Sequence, residues 1–380
     1  MTPHRVGFQV FTPGFPRRLE VCEAIRLPGT PLNFDTEHLI HGKEALKKTR
    51  VALMGFGRIG RNVFRLLAGH PFLEVGVISD VADPVGLAYL LKYDSIHGRF
   101  PGQVSYSDGV LLANGQETPI IGARRPGEVD WREWDASVVV QATGQQQTME
   151  ECLRHIAAGA RGVALASTPL TLGDIPVLLR GVNDEVMESG TQVIALGSNT
   201  SNALAPILCT LSDSFGLRRG FFTSVHAMTN AQRLADVPTS GFRSSRAAAD
   251  NIIPSPTRAA EILASIRPEF SGKLRALALN VPVADGSTVD LVTELETAVD
   301  ADRVNQALRA ACQTRYRGIV EYSTDPIVSS DVTDVTESAV FDSLATMVIG
   351  GRLVKTVTWY NNGWGYAARI VEVLEEMSRA

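Results

Sequence analysis

The strongest constraint on the fold is a glycine-rich turn near residue 55. Gly55-Phe-Gly-Arg-Ile-Gly60 follows a short apolar run at residues 51–54 and precedes a stretch with helical spacing. In such a strand–turn–helix unit, the first glycine allows a tight turn, the second lets the backbone approach a pyrophosphate, and the third brings helix and strand together. The pattern predicts a parallel sheet with helices and a dinucleotide at the helix N-terminus.

A carboxylate at the end of the next apolar run supports this interpretation. Asp80 follows the run at residues 73–79 and lies 20 positions after Gly60. A carboxylate in this place accepts hydrogen bonds from the adenosine ribose. It also repels a 2′-phosphate, and no Arg or Lys directly follows it. We therefore expect NAD rather than NADP.

The remaining pattern predicts two domains after an N-terminal extension. Residues 1–48 contain five prolines and no clear periodicity before a short stretch near their end. Apolar runs alternating with helical patterns then indicate a Rossmann domain, an α/β doubly wound parallel sheet, over 49–197. A helix expected at 203–215 leads into longer alternating stretches, which favour an α+β domain with a mixed or antiparallel sheet. These stretches are residues 217–226, 273–281, 290–295 and 353–359.

Composition excludes several other classes of protein. With 36 Lys+Arg against 41 Asp+Glu, the net charge is −5, so a nucleic-acid-binding surface is not expected. No apolar run approaches the roughly 18 residues that suggest a membrane span. The four cysteines show no C-x-x-C spacing and the histidines no metal-ligand spacing, so no metal site is expected. A reducing cytoplasm fits this cysteine usage.

Several further motifs resemble those of the phosphorylating enzymes in the glyceraldehyde-3-phosphate dehydrogenase family. Besides the glycine turn, they are Lys92-Tyr-Asp-Ser-Ile-His-Gly-Arg-Phe100, Gln141-Ala-Thr-Gly144, Asn251-Ile-Ile-Pro254 and Trp359-Tyr-Asn-Asn-Gly-Trp-Gly-Tyr366. The resemblance implies an NAD-binding domain at 49–197, completed by a C-terminal helix at 362–380, and a catalytic domain at 198–361. It also implies a small-molecule substrate and a homotetramer, with the loop at 229–250 reaching toward a neighbour's NAD.

The same resemblance implies which residues hold the cofactor. Asn362 would contact the nicotinamide amide, and Tyr366 would pack beside the nicotinamide ring. The other residues implied to line the cofactor groove are Gly55, Gly57, Arg58, Ile59, Gly60, Asp80, Arg125, Thr143, Gly144 and Ser167.

The chain departs from the family at the position of the nucleophile. The family motif is Ser-Cys-Thr-Thr-Asn-Cys-Leu-Ala-Pro, whereas this chain has Ser198-Asn-Thr-Ser-Asn-Ala-Leu-Ala-Pro206, which places Asn199 at the catalytic cysteine. The family chemistry needs a thiolate that attacks an aldehyde and remains as a thioester, which an amide cannot do. Cys209 lies ten positions further along the predicted helix, about 15 Å away. Cys22 could reach the site only through the extension.

The family's catalytic base is retained. His226, in Thr223-Ser-Val-His-Ala-Met-Thr229, matches the histidine that activates the cysteine and transfers protons. With Asn199 expected at a helix N-terminus, its amide could hold a carbonyl or hydroxyl group by hydrogen bonds.

The anion-binding positions of the family are also altered. Asn280 replaces an arginine, Ala231 a threonine, Arg258 a glycine and Glu261 a lysine. Arg258 could supply a relocated guanidinium for an anion or could point to solvent. The substrate-site positions that match the family are Ser198, Thr200, Thr229, Arg246 and Thr257.

Three functions are compatible with this pattern. The favoured one is a divergent NAD-dependent oxidoreductase without thioester chemistry, acting on a non-standard small substrate by hydride transfer or by redox-neutral chemistry with bound NAD. The second is an NAD-binding regulatory protein without turnover. The third, disfavoured by the missing thiolate, is an ordinary phosphorylating dehydrogenase.

Overall fold

A computed structural model describes residues 47–145, 147–188 and 190–379. Cys22 and residues 1–46 of the predicted extension therefore lie outside the described residues. The described chain contains an eight-stranded sheet, a seven-stranded sheet and a two-stranded ribbon. Within these ranges, no helix is both long and apolar enough to cross a membrane.

The first sheet and the ribbon are formed by residues 49–195. The strands are β1 (Thr49–Met54), β2 (Leu73–Ser79), β3 (Tyr93–Asp94), β4 (Gly98–Arg99), β5 (Val104–Ser107), β6 (Val110–Ala113), β7 (Gln116–Ile121), β8 (Ala136–Gln141), β9 (Gly162–Leu165) and β10 (Val193–Ala195). The helices are α1 (Arg58–Leu67), α2 (Pro84–Lys92), α3 (Met149–Ala157) and α4 (Glu185–Glu188), with a 3₁₀ turn at Trp131–Trp134.

The second sheet and its helices follow. The strands are β11 (Leu217–His226), β12 (Ile253–Ser255), β13 (Leu274–Asn280), β14 (Ser287–Leu295), β15 (Val320–Ser323), β16 (Ala339–Ile349) and β17 (Leu353–Tyr360). The helices are α5 (Asn199–Phe215), α6 (Ala259–Ile266), α7 (Ala301–Gln313) and α8 (Trp364–Arg379), with 3₁₀ turns at Pro268–Phe270 and Ser329–Val332.

The first sheet confirms the predicted Rossmann class and adds an antiparallel edge. Its order is β10-β9-β8-β1-β2-β7-β6-β5, with parallel pairing from β10 through to β7. The sequence analysis did not predict the antiparallel pairs β7–β6 and β6–β5. Asp108-Gly109 and Asn114-Gly115 connect these strands with positive φ at all four residues. Such pairs favour two-residue hairpin turns, so the sequence did carry a signal for this meander.

The second sheet is mixed, as predicted. Its order is β12-β13-β11-β14-β17-β16-β15; β11–β13 and β15–β16 are parallel pairs and the others are antiparallel. Parallel pairing of β11 with β13 places the ends of these strands, His226 and Asn280, opposite each other in the register.

Helix α5 begins earlier than predicted. The sequence analysis expected it at 203–215, whereas the structure begins it at Asn199. Ser198 caps the helix: its Oγ accepts from the Ser201 N–H at 3.1 Å, and the Ser201 Oγ accepts from the Ser198 N–H at 3.0 Å. This reciprocal pair satisfies backbone donors in the first turn, so the helix extends to Asn199 and carries that residue at its N-terminus.

The C-terminal helix packs against the helix of the glycine turn. Val63 and Leu67 of α1 share one apolar core with Ile370 and Leu374 of α8, and all four are buried. Fully burying one such side chain stabilises the fold by roughly 1.5–3 kcal/mol. This packing brings the segment between β17 and α8, which contains Asn362, to the start of α1.

A buried histidine supports the loop after β8. The indole N–H of Trp131 donates to His155 Nδ1 at 3.1 Å, and His155 Nε2 donates to Gln141 Oε1 at 3.0 Å. Gln141 Nε2 then donates to Thr143 Oγ1 at 3.0 Å. Burial lowers the pKa of His155 to about 4, so this histidine is neutral at pH 7.

We predict that acid weakens the fold through His155. Its pKa is about 4 in the folded chain, against roughly 6.5 when unfolded. The stabilisation from the neutral ring is therefore fully present above pH 6.5 and is lost as the pH falls toward 4. The free energy of unfolding should drop by about 2 kcal/mol from this residue between pH 7.5 and 5.

Urea unfolding of the protein and of His155→Gln at both pH values checks this. The variant should lose that part of the pH dependence. An equal pH dependence in the two proteins would contradict the assignment.

Candidate functional site

Two neighbouring cavities lie where the parallel strands of the first sheet end. The first, of about 530 Å³, is lined by residues that follow β1, β2 and β8, and the second, of about 410 Å³, by residues that follow β9 and β10. Gly57 lines the first and Arg58 the second, so they meet at the start of α1. Ligands of open α/β sheets bind outside this edge.

The three glycines of the turn differ in what a side chain at each position would contact. Gly55 has φ +98°, and a Cβ on it would lie 2.7 Å from the carbonyl carbon of Ala142. A Cβ on Gly60 would lie 2.2 Å from the Gly55 carbonyl oxygen, so helix and turn could not approach as they do. A Cβ on Gly57 would meet nothing within 4 Å. That open space beside the backbone suits a phosphate.

Asp80 is tied to the glycine turn. Its Oδ2 accepts from the Phe56 N–H at 2.7 Å, and its Oδ1 accepts from the Ala82 N–H at 2.9 Å. Asp80 also lines the first cavity. The carboxylate therefore holds the turn and still presents lone pairs to a ribose in that cavity.

The remaining groups of this region suit a dinucleotide. Among the described residues, no side chain caps α1, so its first N–H groups remain for phosphate oxygens. In the second cavity, the buried Ser167 Oγ has no hydrogen-bond partner among the described residues, and it can meet a polar ligand group such as a carboxamide. The site thus fits NAD on three of this chain's own features: the open Gly57, the uncapped α1 and Ser167.

The structure places most of the predicted cofactor residues at the two cavities. The first cavity is lined by Gly55, Gly57, Asp80, Arg125 and Thr143, and the second by Arg58, Ile59, Ser167, Asn362 and Tyr366. Gly60 and Gly144 lie outside the two linings; Gly144 follows Thr143 with φ +71°. Arg124, which the sequence analysis missed, lines the first cavity beside Arg125. The Arg-Arg pair directly before Pro126 was the available signal.

His226 lies in the second cavity at the end of β11. Its Nδ1 is 2.7 Å from the Ala227 carbonyl oxygen and 3.2 Å from Asn362 Nδ2. The shorter contact assigns the proton to Nδ1, which leaves the lone pair on Nε2. Burial lowers the pKa of His226, and the Arg58 charge adds to this effect, although the Ala227 carbonyl opposes it. The imidazole is therefore a neutral base at pH 7.

Asn199 stands in the same cavity and is held at both ends of its amide. Its Nδ2 donates to the Asn362 carbonyl oxygen at 2.9 Å, and its Oδ1 accepts from the Thr200 N–H at 2.8 Å. One Nδ2 hydrogen remains for a ligand. The amide is thus a fixed hydrogen-bonding group at a helix N-terminus and supplies no nucleophile.

Asn361 and Asn362 support the site through hydrogen bonds. The sequence predicted a cofactor contact for Asn362 and no role for Asn361. The Asn361 Oδ1 accepts from the Gly363 N–H at 2.7 Å and from the Trp364 N–H, which caps α8. Its Nδ2 donates to Asp285, a carboxyl whose pKa is raised by burial. The Asn362 Oδ1 accepts from the Ser287 hydroxyl. The predicted motif contained both asparagines, but their partners are distant in sequence.

A buried hydroxyl cluster lies beneath the site. Tyr360 OH is 2.9 Å from both Thr200 Oγ1 and Ser224 Oγ, and its ring meets that of His226 edge to face, with centroids 6.1 Å apart. Thr200, expected in the substrate site, is therefore buried beneath it. Ser198 and Thr229 do line the second cavity, as does Ala231.

Four other predicted substrate residues are not part of the described lining of this cavity. Arg258 is exposed, with 41% of its side chain accessible, while its Nη1 donates to the carbonyl oxygens of Pro169 at 2.9 Å and Leu170 at 3.3 Å. Arg246 pairs with Asp236, and the Asn280 Nδ2 donates to Ser255 Oγ at 2.8 Å. Thr257 Oγ1 accepts from the Ala259 N–H, near the start of α6.

The described cysteines are buried thiols. Cys152, Cys209 and Cys312 have no disulfide partners among the described residues, and burial raises their pKa values to about 12, 11 and 12. They are therefore protonated near neutral pH, and none lines either cavity. Thiolate chemistry needs the opposite environment, a lowered pKa at an accessible position.

Comparisons with known proteins match both halves of the described chain. Sequence profiles described as "Glyceraldehyde 3-phosphate dehydrogenase, NAD binding domain" and "Glyceraldehyde 3-phosphate dehydrogenase, C-terminal domain" match residues 49–149 and 198–362. Glyceraldehyde-3-phosphate dehydrogenase of Geobacillus stearothermophilus is 43% identical over 85% of this chain and 96% of its own length. The Thermotoga maritima protein of that name is 40% identical over 86% of this chain and 98% of its own.

We predict that two alanine substitutions in the turn separate binding from folding. Gly57→Ala adds a methyl group in open space, so it should leave the urea midpoint nearly unchanged while weakening NAD binding about tenfold or more, because the methyl occupies the place of a phosphate. Gly60→Ala should instead destabilise the fold by about 1–3 kcal/mol, since its Cβ meets the Gly55 oxygen.

Calorimetric NAD titration and urea unfolding of both variants provide the comparison. Unchanged NAD affinity in Gly57→Ala would show that the cofactor does not approach this backbone.

Proposed function

Because the chain belongs to the glyceraldehyde-3-phosphate dehydrogenase family, we propose that it is an NAD-dependent oxidoreductase of that fold with altered chemistry. In this proposal, the protein acts on a small substrate other than an aldehyde phosphate and forms no thioester. The observation that carries it is Asn199 at the N-terminus of α5, sharing one cavity with the neutral base His226. The buried, protonated thiols support the same conclusion.

His226 acts as the proton acceptor. With the Nδ1 proton directed to the Ala227 carbonyl, Nε2 can remove a proton from an alcohol or an aldehyde hydrate. The lowered pKa keeps the ring neutral down to a pH below the ordinary range of a histidine. Activity should therefore hold to mildly acidic pH before it declines.

Asn199 and the start of α5 orient the reacting group. The free Nδ2 hydrogen can donate to a carbonyl or hydroxyl oxygen, and the helix N-terminus favours negative charge developing there. The contact with Asn362 fixes the amide, so little reorganisation is needed. Bound NAD supplies a hydride acceptor at this place, either consumed in the reaction or recycled within it.

Two other functions remain as alternatives. An NAD-binding regulatory protein would keep the cofactor site without turnover; the accessible, neutral His226 favours an enzyme over this reading. The relatives carry the name of the ordinary dehydrogenase, and that activity would need a thiolate that the described residues do not provide.

We also propose the family's organisation for this chain. The nucleotide-binding domain would comprise 49–197 with the C-terminal helix, and the catalytic domain 198–361. We further propose a cytoplasmic homotetramer. Its support is the loop at 229–250, where Leu234 is 85% and Phe242 98% exposed, since such apolar side chains favour burial against another subunit.

We predict that the unmodified protein is a very poor phosphorylating dehydrogenase. Phosphate-dependent NADH formation from glyceraldehyde 3-phosphate should be absent or lower by at least about 10³-fold than in an ordinary family member, because the covalent nucleophile is missing. Iodoacetamide should leave the native activity unchanged. Rapid phosphate-dependent NADH formation would contradict the proposal.

A cysteine placed at position 199 tests whether the surroundings still suit a thiolate. Asn199→Cys should react with iodoacetamide at pH 7 much faster than a free thiol, because His226 and the helix N-terminus lower the thiol pKa. The matched control is Asn199→Cys combined with His226→Gln, which should react more slowly. Equal rates in the two variants would show that His226 does not act on this position.

A further inference from the structure

We propose that the substrate carries no phosphate or carboxylate and is a small uncharged molecule rich in hydroxyl groups, such as a hydroxyaldehyde. This inference rests on the proposed function, because it concerns the same cavity. Its basis is the charge and the hydrogen-bond occupancy of the groups around His226 and Asn199.

The cavity offers a single cation, and that cation is already engaged. Among the described residues that line it, Arg58 is the only Arg or Lys, and no Asp or Glu lines it. Its Nη1 donates to the Met228 carbonyl oxygen at 3.3 Å, and its Nη2 donates to Asn230 Oδ1 at 3.3 Å. Arg58 also belongs to the glycine turn, beside the dinucleotide phosphates. A second anion in the cavity would therefore compete with the cofactor for one guanidinium.

The position next to the base is neutral. Asn280 lies opposite His226 in the parallel pairing of β11 with β13. Its Nδ2 donates to Ser255 Oγ, so the amide forms part of the internal hydrogen bonding. At this position, where the family resemblance implies an arginine, the chain presents no charge.

Neither of the two arginines that could have compensated is among the described residues that line the cavity. The Arg258 guanidinium is bonded to the carbonyl oxygens of Pro169 and Leu170, and its Nε faces Glu261 at 3.4 Å. Arg246 is paired through Nε with Asp236 Oδ2 at 3.2 Å on the exposed surface. An anion entering the site would lose hydration without gaining a free cation.

An uncharged hydroxyl group does not carry the large desolvation cost of an anion. Ser198, Asn199, Thr229 and Asn230 line the cavity with hydroxyl and amide groups. Asn199 keeps one Nδ2 hydrogen to donate, and the Thr229 hydroxyl can both donate and accept, as the hydroxyls of a hydroxyaldehyde do. An uncharged polar ligand can therefore exchange its hydrogen bonds with water for hydrogen bonds with the site.

Calorimetric titration of the NAD-loaded protein with matched pairs tests the inference. The probes are glyceraldehyde against glyceraldehyde 3-phosphate, and erythrose against erythrose 4-phosphate. We expect the uncharged member of each pair to bind at least about tenfold more tightly, a factor that corresponds to about 1.4 kcal/mol. Tighter binding of the phosphorylated members, or binding of no member at all, would overturn the inference.

Restoring the charge should reverse the preference. Asn280→Arg should increase the affinity for the phosphorylated member at least about tenfold, because it adds a guanidinium beside His226. The control is Ser271→Arg, which adds the same charge on an exposed turn before the other end of β13 and should change neither affinity. An Asn280→Arg protein with unchanged selectivity would contradict the role assigned to pocket charge.

NADH formation, measured in parallel, separates this inference from the proposed function. Preferential binding of the uncharged members without NADH would support the inference and contradict net hydride transfer from these aldehydes to NAD. NADH formed faster from the phosphorylated members would overturn the inference and the exclusion of aldehyde phosphates from the proposed function, and would leave the NAD-dependent hydride transfer in place.

Discussion

The hydrogen bonds of Asn361 and Asn362 hold the functional site together. Asn361 caps α8, the helix that packs on α1 beneath the glycine turn, and is itself bonded to Asp285. The Asn362 carbonyl accepts from Asn199 of α5, and its side-chain oxygen accepts from the Ser287 hydroxyl, whose oxygen in turn accepts from the Ala227 N–H next to His226. One short segment thus fixes the nucleotide-binding helices, the helix carrying Asn199 and the strand carrying the base, so the geometry of each depends on it.

Local signals predicted the fold, and long-range partners decided the site. The glycine turn needed only neighbouring residues to be recognised, because the positive φ of Gly55 and the close approach at Gly60 are local requirements. Arg258 donates to carbonyl oxygens that lie 88 and 89 residues away in the sequence. Asn199 donates to a carbonyl oxygen that lies 163 residues away. A flexible guanidinium or amide selects such partners only after tertiary packing, so sequence pattern could not foresee them.

In the proposed function, asparagine at the family's cysteine position changes the chemistry while the surroundings of that position are kept. A helix N-terminus and a neighbouring histidine would lower the pKa of a thiol, whereas an amide has no proton to lose near neutral pH. The same features can still orient an oxygen and receive a proton. The neutral amide at Asn280 extends this proposal to the substrate. We propose that the cofactor half follows the family and that the substrate half has a different electrostatic character.

We propose that this protein works without an acyl-enzyme. Intact-mass spectrometry tests it most directly, on protein quenched after mixing with NAD and either glyceraldehyde or glyceraldehyde 3-phosphate, with phosphate left out so that a thioester would accumulate. We expect an unmodified protein mass with both aldehydes, even where NADH is formed. A stoichiometric acyl adduct that hydroxylamine removes would contradict it.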